Sequence, residues 1–189
     1  AMPQIEFLPA GDIFENTRFV KSEQEISHIQ TAARIADKAF ELILGFIEPG
    51  MTEAKVAWQL ETFMRDLGAE SSAFEILLPS GKRTSLPHGA PTQKKIETGD
   101  FITMDFGALV EGYRSDMTRT VVVGTPDEKQ KKIYSIVQEA QQQGLKSARA
   151  GRVGKDVHQD VMNVIDGHGY LEFAGKGLGH GLGLDIHEI

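Results

Sequence analysis

The sequence predicts an α+β fold in which a curved, mostly antiparallel sheet is backed by amphipathic helices. Three observations carry that expectation. Two β-rich runs, Phe101 to Gly107 and Tyr113 to Val123, flank a short segment containing Gly112 and read as a hairpin. Capped stretches with apolar residues at helical intervals precede and follow them, and no repeat, low-complexity tract or linker divides the chain. At 189 residues, 40% hydrophobic and 25% charged, the chain is the size of one domain. It should fold around one core, burying about 70% of the surface its unfolded form exposes.

Residues 1–20 read as an irregular lead-in, with Ala1 ahead of the usual initiator Met2 and no signal-like segment. Ser22 to Glu25 has capping-box spacing, and Ile26, Ile29, Ala33, Ala36, Phe40 and Ile43 follow at helical intervals, predicting a helix over Ser22 to Phe46. Thr52 is placed to cap a second helix reaching Leu67, with Val56, Leu60, Phe63 and Leu67 on one stripe. Phe74 to Leu78 is short and apolar enough for a strand, and Pro79 to Pro91 is loop-like. Beyond the hairpin, Thr125 and Glu128 again have capping-box spacing, with Pro126 at the first helical position of a helix reaching Arg149. A shorter helix around Val157, Val161, Val164 and Ile165 precedes a glycine-rich tail.

A net charge of -7 and a pI near 5.4 argue against a nucleic-acid partner, which usually calls for a basic footprint. Ala39 to Ile47 is too short and too charged to span a membrane, which needs about 20 apolar residues. The absence of Cys removes disulfides, thiolate nucleophiles and Cys-ligated zinc, and fits a cytoplasmic protein. Histidines and carboxylates are left as the strong metal ligands.

Two aspartates on the hairpin sit where strands rarely tolerate them. By alternation Thr103, Asp105, Asp116, Thr118 and Thr120 share one face, while Ile102, Met104, Phe106, Met117, Val121 and Val123 take the other. A turn centred between Val110 and Glu111 would set Asp105 directly opposite Asp116, with Cβ atoms about 4.5–5.5 Å apart. An odd-length turn would move them to a diagonal. Carboxylates that close repel unless something positive lies between them. On these residues alone, a solvated hairpin with two exposed acids reads equally well.

From Gly175 to Gly183 glycines alternate with larger residues, a pattern that lets a backbone or ligand approach closely and matches neither common phosphate-loop register. A lone histidine in such a run is more often structural, but the two carboxylates make His180 a candidate ligand, and imidazole with carboxylates suits Mn, Co, Fe or Zn. His88, in the proline- and glycine-rich loop, and His187 are candidates for proton handling or for holding polar groups of a substrate. His28, His158 and His168 take no role.

Ser85 to Gly89, Met104 to Gly107, Ser115 to Thr120 and Gly179 to Glu188 stand in an order that resembles the pita-bread metallopeptidases, in particular the X-Pro aminopeptidase and prolidase branch. The resemblance runs from about Lys21 onward, so residues 21–189 are expected to be part of a catalytic domain of that type. It implies that Asp105, Asp116 and His180 are metal ligands and that His88 and His187 lie near the substrate, a peptide with proline at its second position. It also implies two divalent cations, Mn or Co foremost and Zn or Fe as alternatives, activating a water for attack on the peptide carbonyl.

The departures shape the expectation. Two glutamates that complete such a site belong to strands expected beyond Ile189, Glu188 holds a motif position that is not a ligand, and the branch's usual smaller N-terminal domain is absent from the sequence. Lys176 stands four residues before His180, where many relatives carry another histidine. The 189 residues alone are therefore expected to be inactive. A creatinase-like amidinohydrolase and a non-catalytic binding module are the competing readings. A homodimer is left open, because an incomplete sheet exposes an edge that another chain could cover.

Overall fold

The computed structural model describes residues 8, 10, 11, 13–175 and 177–188. In place of one core it has two compact units, one formed by the chain up to residue 123 together with residues from 180 onward, the other by 124–179. The first contains α1 (Ile13–Phe19), α2 (Glu23–Leu44), α3 (Glu53–Asp66), β1 (Ser71–Ser72), β2 (Phe101–Phe106), β3 (Ala108–Val110), β4 (Tyr113–Arg114) and β5 (Met117–Val122).

The lead-in is not wholly irregular, since α1 makes two turns. It buries none of its own residues, and Arg18 ties it down by ion pairs to Asp185 and Glu188. Ser22 and Glu25 close a reciprocal capping box at the start of α2, satisfying backbone donors that the first turn would otherwise leave free. Along α2, Ala32, Ala36, Ala39 and Ile43 recur at helical spacing and are fully buried. Thr52 caps α3, which buries Val56, Ala57, Leu60 and Met64 in the same core.

The hairpin forms, but its turn is centred between Glu111 and Gly112, one residue beyond the expected place. Both residues have positive φ, 49° and 78°, as the two-residue turn that suits strand twist requires. Gly112 adopts this conformation freely, whereas a turn at Val110-Glu111 would force a β-branched residue into it. The register therefore sets Asp105 against Thr118 and Phe106 against Met117, and its continuation through Leu109 and Arg114 leaves Gly107 opposite Asp116. Asp105 and Asp116 are diagonal neighbours on one face, not a directly opposed pair. Gly107 is obligatory, because a Cβ there would lie 1.8 Å from the Ser115 carbonyl oxygen.

The core face matches alternation. Ile102, Met104 and Phe106 are fully buried, each contributing about 1.5–3 kcal/mol by leaving water. Arg119 shares that parity but reaches outward, its guanidinium 6.0 Å from the Phe40 ring centre and 3.6 Å from Asp37. The run Phe74 to Leu78 is not a regular strand; Leu77 and Ser80 instead make isolated bridges to Asp105 and Ile102. Pro79 lies between those bridges and has no N–H to donate to a ladder. β2 thus has backbone partners on both sides, which places Asp105 inside the sheet.

The second unit packs α4 (Glu128–Ser147) against α5 (Gly154–Gly167), burying Ile136, Ala140, Val157 and Val161. The cap of α4 is Asp127 with Gln130, not Thr125 with Glu128; Pro126 precedes the cap, and the helix begins at Glu128. Among the described residues no helix is long and apolar enough to cross a membrane.

Candidate metal and peptidase site

Asp105, Asp116, His180, His88 and His187 all belong to the first unit. Asp105 accepts a hydrogen bond from Thr118 Oγ1 at 3.1 Å, and Thr103 and Thr120 pair beside it at 3.3 Å, so the polar face is a row of hydroxyls with carboxylates set into it. Burial raises the Asp105 carboxyl above its ordinary range; the Thr118 hydrogen bond opposes this, the Asp116 charge adds to it, and His88 draws it back. A half-buried carboxylate raised by burial and by a second carboxylate beside it, with a threonine as a hydrogen-bonding partner, forms a place where a cation is favoured.

His180 lies outside any strand, just before the Gly181–Glu188 bridge, yet its Nε2 is 3.2 Å from Asp116 Oδ2. Its Nδ1 is 2.9 Å from the Gly181 carbonyl oxygen, which can only accept, so Nδ1 carries the proton. In the neutral ring Nε2 then presents a lone pair toward a carboxylate, an arrangement that a cation bound between the two would satisfy. The donor set fits a divalent ion in chemistry. Its present gathering is pairwise: among the described residues no three such side chains surround one point closely enough to hold a metal.

The remaining histidines approach from two segments. His187 stacks edge-on against His180 with ring centres 4.2 Å apart, beside a hollow of about 150 Å³ lined in part by Arg18, Asp185 and Glu188. His88 is exposed near the end of a loop, and its influence lowers the Asp105 carboxyl. Lys176 lies outside the described residues. Among the histidines given no role, His28 stacks on Tyr113 at 5.6 Å and His168 pairs with Glu139 at 2.9 Å.

Two supporting groups escaped the sequence reading. Glu188 is paired by Arg18 at 2.5 Å and Lys21 at 2.8 Å, and these hydrogen bonds outweigh burial to hold its carboxyl down at about 2. The Gly181–Glu188 bridge and the Arg114 bonds to Gly183 and Leu184 then fix the segment carrying both His180 and His187. Glu53 is fully buried in the first turn of α3, ionised because the Thr92 and Ser80 hydrogen bonds overcome its desolvation. The capping pattern around Thr52 gave no sign of it, since a first-turn glutamate is ordinarily a solvated partner of the helix dipole.

The sequence matches metallopeptidase family M24 over residues 27–189. It is 45% identical over 183 residues to a protein of Pyrococcus horikoshii described as Xaa-Pro dipeptidase, covering 97% of this chain and 52% of that one. Solved structures share the fold, among them the following two. "Xaa-Pro dipeptidase from Bacillus anthracis" superposes with a TM-score of 0.96 at 48% identity, covering 98% of this chain and 52% of that one. "X-Pro aminopeptidase from Thermotoga maritima MSB8" gives 0.94 at 44%, covering 97% and 52%. The chain spans about half the length of these relatives.

Proposed function

The chain belongs to metallopeptidase family M24, and from that premise we propose that it carries part of the catalytic centre of a metal-dependent exopeptidase that cleaves the bond before a proline at the second position of a peptide. The observation that carries this reading is the meeting of Asp105 and Asp116 on one hairpin face with His180 Nε2 held 3.2 Å from Asp116. The names of the relatives, Xaa-Pro dipeptidase and X-Pro aminopeptidase, support the substrate class.

In this reading Asp105, Asp116 and His180 hold divalent metal, with Mn or Co the first choice. Bound metal supplies an acidified water and a positive charge where the carbonyl oxygen becomes anionic. The protein's own work is positional. The Gly181 carbonyl fixes the His180 tautomer with Nε2 free to coordinate, while burial and Asp116 leave Asp105 short of positive charge until a cation arrives. His88 and His187 approach from separate segments and serve as donors to the developing oxyanion or the departing amine.

Three protein donors leave a divalent ion with several waters, and a two-metal centre needs further bridging carboxylates. Calorimetry with Mn²⁺ and Co²⁺, together with cleavage of Xaa-Pro dipeptides and longer X-Pro peptides, should be run on the 189 residues and on a chain of the relatives' full length. The expected result is weak single-metal binding and little turnover by the first, two-metal binding and turnover by the second, and loss of both by His180→Ala in the longer chain. Tight two-metal binding by the 189 residues, or full-length activity indifferent to His180→Ala, would show the ligands to be misassigned. The ratio of dipeptide to longer-peptide cleavage decides between dipeptidase and aminopeptidase.

A further inference from the structure

Glu53 is a fully buried carboxylate that the chemistry above does not use, and, resting on that reading, we propose that it is a positioning residue for His88, clamping both ends of the loop that carries it. One oxygen accepts from the Ser80 backbone N–H at 2.7 Å and the Ser80 hydroxyl at 2.8 Å. The other accepts from the Thr92 N–H at 3.0 Å and the Thr92 hydroxyl at 2.7 Å. One side chain thus ties together residues 80 and 92, and between them lie the exposed Leu86, Pro87 and His88.

The loop has little else to hold its shape. Its internal bonds are those of a short 3-10 turn over Gly81–Ser85, with the Thr84 and Ser85 hydroxyls bonded back to the Gly81 and Lys82 carbonyls, and a bond from the Arg83 guanidinium to the Ala90 carbonyl at 2.8 Å. Arg83 Nε also lies 3.3 Å from the Glu53 carboxylate and offsets its charge, while Lys94 joins the Ser80 hydroxyl at 3.0 Å to Asp100 at 2.7 Å. Ser80 bridges Ile102, whose side chain is on the core face, so Glu53 grips the loop from behind the sheet. His88 acts on Asp105, on the opposite face. Glu53 therefore reaches the site only through the loop.

A carboxylate suits this task because both oxygens accept and neither donates. Glutamine has the same shape but would turn its NH₂ toward the donors of one end, so that end must open. Hydrogen exchange of Glu53→Gln in the 189-residue chain should show amides within 80–92 exchanging about tenfold faster or more, the opening expected from losing charge-assisted bonds, with β2 and β5 amides unchanged. The NMR signals of the His88 ring should move toward free-imidazole positions. If Glu53→Gln does not fold, Ser80→Ala with Thr92→Val removes the hydroxyl arms, together with the Lys94 bonds to those hydroxyls, keeps both backbone arms, and should give the same pattern, more weakly. In the full-length chain Glu53→Gln should lower kcat on an Xaa-Pro dipeptide and leave KM close to its starting value.

Unchanged loop protection, or one common factor across loop and sheet, would overturn the clamp. A loosened loop with kcat intact would overturn its link to His88. A full-length wild type silent on Xaa-Pro peptides would refute the peptidase reading, and the exchange and ring signals would still decide whether Glu53 positions the loop.

Discussion

Loop 80–92 and the segment 180–188 both carry histidines that act on the hairpin carboxylates, His88 on Asp105 and His180 on Asp116, and they are anchored by different physical means. The first hangs from a carboxylate with no solvent exposure that receives four hydrogen bonds from neutral donors at the two ends of the loop, with the Arg83 guanidinium a further 3.3 Å partner. The second rests on Glu188 paired with Arg18 and Lys21, side chains that are 34% and 16% exposed. A buried acceptor among backbone donors is rigid and indifferent to solvent ions, whereas charge pairs near water are adjustable and screened. Each histidine's freedom follows its anchor: His88 is held through its loop's ends, His180 and His187 through ion pairs that the surrounding solution can screen.

The largest expected effect comes from breaking the buried anchor. Glu53→Ala removes the acceptor from two backbone amides and two hydroxyls within the core, and should destabilise the chain by about 3–5 kcal/mol, the range for stripping the partner from a buried charged network. Urea unfolding measures it. A loss below about 1 kcal/mol would mean that water enters and satisfies the orphaned donors, and the contrast between the two anchors would collapse.

The sequence made legible whatever follows local rules. The caps at Ser22 and Thr52, the alanine and leucine stripes, the hairpin and the shared face of Asp105 and Asp116 all depend on residues a few positions apart or on strand alternation. The register was missed because it turns on which residues accept positive φ, and Glu111 is an unusual occupant. The division into two units was missed because a helix's apolar stripe does not say which surface covers it. The anchoring roles of Glu53 and Glu188 were not legible for one reason: each is set by partners 27 to 170 residues away, and their chemistry exists only after the chain has closed. The site histidines and aspartates stood out through family motifs, while the groups that hold them in place stood out only in three dimensions.

A smaller effect is expected at Glu188, and it carries a pH signature. Its folded carboxyl is lowered to about 2 from an ordinary 4.5, so its contribution to stability is present above about 4.5 and is lost as pH falls from there toward 2. Glu188→Gln should cost about 1–3 kcal/mol at neutral pH, the range for hydrogen bonds to a charged group, and should flatten the stability profile across that acid window. Unfolding followed from pH 7 to about 2 in both proteins provides the check. Parallel profiles would show that Arg18 and Lys21 leave Glu188 as it is in the unfolded chain, and the tail would need another anchor.

The smallest effect sharpens the comparison without changing a residue. Raising salt from about 0.1 M to 1 M shortens the screening length from about 10 Å to 3 Å, which weakens pairs that water reaches and barely touches groups sealed in the core. Arg18, at 34% side-chain exposure, bonds both Asp185 and Glu188, so the whole segment from Gly181 to Glu188 shares whatever the clasp loses. Amides there should exchange a few-fold faster in high salt, roughly the factor that goes with a few tenths to 1 kcal/mol for exposed ion pairs. Amides of loop 80–92 should lose less protection, since the four hydrogen bonds of their anchor are sealed from water and only its Arg83 partner, 31% exposed, is reached by salt. The His180–Asp116 pair gives the test its reach into the site: if the clasp holds His180 in place, its ring signals should shift with salt in step with the 181–188 amides. A loop 80–92 that loosens equally would mean that both histidine-bearing segments depend on surface charge and that the buried carboxylate is no separate anchor.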